Sequence, residues 1–144
     1  MSARARLLLA DPNPATRLAA VDALGADWEV IPLPEDEDPV RAARRIRPAL
    51  ILLAVPTARV QSALRACRSL KTEANPPKVA LLDHGGRLTD PAEVLSAWLA
   101  DGLCIGAVLP AQLPAFARAV AAGEKPILRG APPAPGLLGR LFGR

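Results

Sequence analysis

Apolar residues along this chain come in two alternating patterns. Short unbroken runs of strand length stand between longer stretches in which apolar positions return every three or four residues. The plainest run is residues 49–56, Ala-Leu-Ile-Leu-Leu-Ala-Val-Pro. It shows no polar alternation, which suits a strand covered by helices on both faces of a parallel sheet. It is expected to be the central strand. In such sheets ligands and reactive groups sit at the carboxyl edge, so residues 54–57 matter most for chemistry.

The remaining elements fall in order around it. Residues 6–10 are a first strand, and Asn13 followed by Pro14 opens a helix with Leu18, Val21 and Leu24 at helical spacing, stopped by Gly25. Residues 28–33 are a second strand whose Pro32 suits an edge. After an acidic loop, 35–38, Asp38-Pro39 repeats the capping device ahead of a helix over 40–47. A third helix carries Val60, Ala63, Leu64, Cys67 and Leu70 on one face and breaks at Asn75-Pro76-Pro77. Residues 78–82 form a fourth strand leading into the loop Asp83-His84-Gly85-Gly86-Arg87, and Asp90-Pro91 caps a helix bearing Val94, Leu95, Trp98 and Leu99. A fifth strand over 105–109 and a fifth helix over 113–122, ended by Gly123, complete the series. Alternating units of this kind predict an α/β fold: a doubly wound, five-stranded parallel sheet in the order 2-1-3-4-5, with helices on both faces.

A chain of 144 residues, 51% of them hydrophobic, fills one domain with a real core. That domain is expected over residues 1–124. No apolar run approaches the roughly 20 residues that span a bilayer, and no signal peptide is evident, so a cytoplasmic protein is expected. Cys67 and Cys104 are far apart, with a single histidine in the chain, which disfavours a zinc site and points to reduced, packed thiols. The net charge of +4 is uneven: residues 1–124 are neutral, and Lys125, Arg129, Arg140 and Arg144 supply the excess. A neutral body argues against nucleic-acid binding.

The framework resembles a receiver domain of two-component response regulators, over roughly residues 4–123. The resemblance rests on Leu-Leu-Leu-Ala-Asp-Pro-Asn-Pro-Ala-Thr-Arg (7–17), on Arg-Pro-Ala-Leu-Ile-Leu-Leu (47–53) and on the spacing from Asp101-Gly102 to Leu109-Pro110. It implies a flavodoxin-like sheet. It also implies where phosphoryl chemistry would sit, and there the residues depart from the family. Asp11 matches the first acid of the metal-binding pair, but Pro12 occupies the second, Ala54 the phosphoacceptor, Leu82 the Ser/Thr and Leu109 the lysine. Magnesium needs several oxygen ligands, and alanine cannot form an acyl phosphate. The resemblance therefore implies a pseudo-receiver: a non-enzymatic interaction module in bacterial signalling or in placing a signalling or motility complex, needing no cofactor or metal.

Other residues carry alternatives. Asp11, Asp83 and His84 together could bind a small ligand or phosphodonor; singly, Asp11 reads as a turn-forming acid and His84 as a surface loop histidine. Arg41, Arg44 and Arg45 read as the solvated face of the second helix and a candidate contact surface. Trp98, spaced helically from Leu95, reads as half-buried, on the face through which receivers meet partners. Residues 125–144 read as a Pro-rich linker followed by an amphipathic segment, with Leu137, Leu138, Leu141 and Phe142 on one arc and Arg140 and Arg144 opposite. That segment is a candidate contact for a protein partner or, in a third reading, an anionic membrane surface.

Overall fold

The computed structural model describes residues 4–34 and 36–130. Its strands are β1 (Ala5–Ala10), β2 (Trp28–Pro32), β3 (Leu50–Ala54), β4 (Lys78–Asp83), β5 (Gly102–Ile105) and β6 (Ile127–Arg129). The helices between them are α1 (Pro14–Leu24), α2 (Pro39–Ile46), α3 (Val60–Lys71), α4 (Pro91–Ser96) and α5 (Leu113–Ala121). The sheet order is β2-β1-β3-β4-β5-β6, and every neighbouring pair is parallel.

Three helix starts use one device. Asn13 accepts from the N–H groups of Ala15 and Thr16, Asp38 from that of Val40, and Asp90 from that of Glu93. Each cap is followed by proline, whose missing N–H is one that no helix start can use. All five residues of β3 are buried, as a central strand requires. Alternate side chains divide the core into two layers. Leu8, Ile51, Leu53, Val79, Leu81 and Leu103 meet α2, α3 and α4, while Leu7, Leu9, Leu50, Leu52 and Ala80 meet α1 and α5.

The sheet has six strands, one more than the pattern predicts. The sixth lies in the stretch read as linker, where Leu103, Cys104 and Ile105 of β5 pair with Ile127, Leu128 and Arg129. It covers an edge that β5 would otherwise leave open. The fifth strand is also displaced, running over Gly102–Ile105 rather than 105–109. Gly106, at φ 84°, turns the chain out of the sheet and donates its N–H to the Asp83 carbonyl at 2.9 Å. At Gly102 a Cβ would lie 2.7 Å from Val120 Cγ2, so the absence of a side chain lets α5 pack directly on the strand. Two further apolar positions differ. Leu18, expected beside Val21 and Leu24 on one face of α1, is 74% exposed; Leu24 is buried and Val21 partly so, as expected, and Ala20 completes the arc. The fourth helix stops at Ser96, and Leu99 adopts a left-handed φ of 64° rather than continuing it.

Both cysteines are buried free thiols, and burial pushes each up to about 12. At neutral pH they are uncharged and unreactive. Among the described residues no helix is long and apolar enough to cross a membrane.

Candidate functional site

The carboxyl edge of the sheet gathers the ends of β1, β3 and β4. β1 hands over to Asp11, which is only 3% exposed. One of its carboxylate oxygens accepts the Asn13 N–H at 3.0 Å, so it does form the turn into α1. The other lies 2.8 Å from Nε2 of His84, which follows the end of β4. β1 and β4 both pair with β3 and lie on opposite sides of it. The imidazole therefore reaches across the end of the central strand, roughly two strand spacings of 4.8 Å. Ala54, at that end, leaves the crossing open because it presents only a methyl group.

The hydrogen bond to Asp11 raises the pKa of His84 above 6.5, partial burial opposes the shift, and the nearby charges of Asp11 and Asp83 add to it. A histidine whose folded pKa lies above its unfolded value contributes stability in full below the unfolded value, and that contribution is lost as pH rises through the folded one. The ring is 41% exposed, so solvent limits the pair to about 1 kcal/mol or less. Titration of the His84 ring by NMR should give a midpoint above 6.5. Asp11→Asn should bring it down, and an unmoved midpoint would mean that the pair does not persist in solution.

Asp83 takes no part in this pair. It is fully buried, and its two carboxylate oxygens accept the N–H groups of Arg87 and Leu88 at 2.9 and 2.8 Å. The His84 loop is thus stitched to β4 by Asp83, whose oxygens are committed to backbone. The remaining edge positions are apolar. Ala54 is 7% exposed and sits in register with buried Leu82. Leu109 is 67% exposed, in the connection from β5 to α5, where its N–H donates to Gln112 Oε1 at 3.0 Å. It does not line the crossing at Ala54, since β5 has already ended at Ile105.

Two cavities open on this edge. The larger, about 580 Å³, lies between the ends of β1 and β3 and is bordered by Asp11, Pro12, Ala54, Arg59 and the acidic residues Asp36, Glu37 and Asp38. The smaller, about 270 Å³, lies between α1 and the β5–α5 connection and is bordered by His84 and Cys104 among apolar neighbours. An Asp–His pair can hold and move a proton. The Cys104 thiol on the same cavity is held protonated by its burial. Among the described residues no group of three or more His, Cys, Asp or Glu side chains converges as a metal site.

The other sequence-selected residues lie apart from this edge. Arg44 and Arg45 on α2 make exposed ion pairs with Glu73 and Glu37, both at 2.6 Å, and Arg41 is exposed beside them. Trp98 is half-buried against the α3 layer, its carbonyl accepting the Cys67 thiol at 3.4 Å. Leu137, Leu138, Arg140, Leu141, Phe142 and Arg144 fall outside the described residues.

The fold is that of response-regulator receiver domains. A response regulator from Thermotoga maritima matches with a TM-score of 0.68 at 18% identity, over 83% of this chain and 99% of its own. The chemotaxis response regulator CheY4 of Vibrio cholerae gives 0.68 at 18%, over 82% and 99%. The isolated REC domain of RcsB from Salmonella enterica serovar Typhimurium, in the presence of phosphomimetic BeF3-, gives 0.64 at 15%, over 96% and 99%. At these identities the likeness is one of fold. No family profile matches the sequence, and no curated protein matches it.

Proposed function

We propose that this protein is a pseudo-receiver, a non-catalytic interaction module of bacterial signal transduction that works without phosphorylation. The observation that carries this reading is the end of β3: where the receiver fold would present an acceptor carboxylate, Ala54 lies buried in register with Leu82. The groups around it are consistent with lost chemistry. Asp11 is engaged by His84 and by the turn, Pro12 offers no oxygen ligand, and Leu109 points to no phosphoryl site from its exposed place in the loop. With the reaction gone, the retained assets are shape and surface. The arginine face of α2 suits a protein partner with an acidic surface, and Trp98, half-buried against the α3 layer, is a second contact.

The Asp11–His84 pair beside the larger cavity favours a second reading, in which a small ligand binds there. Asp83 contributes nothing to it, because both its oxygens are used.

Incubation with acetyl phosphate and magnesium, followed by intact-mass measurement, tests the first reading. No phosphoryl adduct is expected, and affinity capture should recover the same partners with and without the phosphodonor. A stable adduct, or capture that depends on the donor, would sink the reading.

A further inference from the structure

The smaller cavity is formed by Ala15 and Ala19 of α1, Leu82, Cys104, Val108 and Leu113, with His84 and Thr16 as its polar members. Its border is unusual for a free surface. Leu109, 67% exposed, is among the most exposed large apolar side chains of the described residues. Leu109 stands between the lining residues Val108 and Pro110. An apolar hollow with an apolar rim calls for an apolar occupant.

The path of the chain identifies one. β6 is parallel to β5, so it carries the chain back to the carboxyl edge of the sheet. There the Gly130 N–H donates to the Ile105 carbonyl at 2.7 Å. Gly130 lies so close to the backbone of Ala107 and Val108 that a Cβ would collide with the Ala107 carbonyl. The chain is therefore delivered to the border of the cavity, beside Val108, and residues 131–144 follow from that point. Residues 131–135 span at most about 17 Å, more than the ~10–12 Å width of a helix, which brings the next residues within reach of the hollow and its α1 wall. Those residues are Gly136, Leu137, Leu138, Gly139, Arg140, Leu141 and Phe142, the densest apolar cluster outside the described body.

We infer that the chain's own residues 137–142 dock in the cavity between α1 and the β5–α5 connection, covering Leu109 and leaving Arg140 and Arg144 in solvent. A tethered segment meets its site at an effective concentration in the millimolar range, so this contact needs little intrinsic affinity to be occupied. The glycines at 136 and 139 let the segment follow a hollow without forming a helix of its own. Such docking goes beyond the signalling reading and does not depend on the missing phosphoryl chemistry.

The full chain, isotopically labelled for amide NMR, tests this. Phe142→Asp is expected to shift the amides of Ala19, Val108 and Leu113. Ala15→Lys, at an exposed position on the mouth of the cavity, is expected to shift the amides of residues 137–142 while leaving the body folded. The two changes combined should shift the cavity amides little further than Phe142→Asp alone. Three results would overturn the inference. Cavity amides that stay unchanged in Phe142→Asp would show that the segment does not touch the cavity. If their shifts in the unaltered chain vanish on dilution, the occupant is the segment of a second copy. If residues 137–142 respond only to added phosphatidylglycerol vesicles, their target is lipid.

Discussion

Replacing Lys71 by methionine is expected to lower the free energy of unfolding by about 3–5 kcal/mol, the range for breaking a buried ion pair on one side. Lys71, at the end of α3, places its Nζ 2.7 Å from Asp101 Oδ2, with the two side chains 13% and 8% exposed. The ammonium also donates to the Pro77 carbonyl at 2.9 Å, and the same Asp101 oxygen accepts the Val79 N–H at 2.8 Å. This cluster joins α3 to the starts of β4 and β5. Methionine conserves most of the volume of lysine, so the main change is an Asp101 carboxylate left without its counter-charge in a place that water reaches poorly. In a domain of this size the loss should lower the melting temperature by roughly 10–20 °C. Urea unfolding followed by circular dichroism measures it. The comparison is Arg44→Met, which breaks a pair whose arginine is 63% exposed and should cost less than about 1 kcal/mol. Equal losses in the two variants would show that the Lys71–Asp101 pair is solvated and that this reading of its burial is wrong.

What could be read in the sequence follows from the range of each interaction. The caps at Asn13, Asp38 and Asp90 are contacts between residues two or three apart, and their neighbouring prolines mark them. The central strand was legible because burial on both faces removes alternation from the whole run. β6 was hidden because three residues are too few to show a pattern, and the prolines on both sides resemble a linker. The end of β5 was misplaced because the apolar composition continues through Val108 and Leu109, whereas the positive φ of Gly106 has already turned the chain away. Leu18 has helical spacing from Val21, but the narrow contact between α1 and the sheet is filled by Ala20 and Leu24.

The edge of the sheet was legible as a list of residues and not as an arrangement. Asp11 and His84 are 73 positions apart, and nothing local in either stretch announces their contact. Once β1, β3 and β4 are known to be neighbours, the pairing has a signal. An acid ends one strand, a histidine follows another, and the strand between them ends in alanine. Asp83, adjacent in sequence and equally acidic, points to the other layer and is consumed by its own loop. Strand alternation separates the two residues functionally.

That arrangement determines what Ala54→Asp should do. The new carboxylate would stand at the crossing between Asp11 and His84, at the position that the proposed function assigns to the phosphoacceptor, with its surroundings unchanged. One imidazole would then serve two carboxylates, and like charges at this separation raise the pKa of the carboxylate pair. When folded carboxylates titrate above their unfolded values, the native state binds more protons than the unfolded state, so stability falls as pH rises through that range. The variant is expected to be less stable than the parent by about 1–3 kcal/mol at neutral pH and to recover part of the difference toward pH 5. It should still take no phosphoryl group from acetyl phosphate, because Pro12 supplies no second acid for magnesium and Leu109 is 67% exposed in its loop and carries no charge for the phosphoryl oxygens. Thermal unfolding at two pH values and intact mass after incubation with the donor are the measurements. A variant that keeps the parent's melting temperature and gains a phosphoryl group would show that the fold had retained its receiver chemistry with one residue missing, and the interaction-module reading would have to give way to a repairable enzyme-like site.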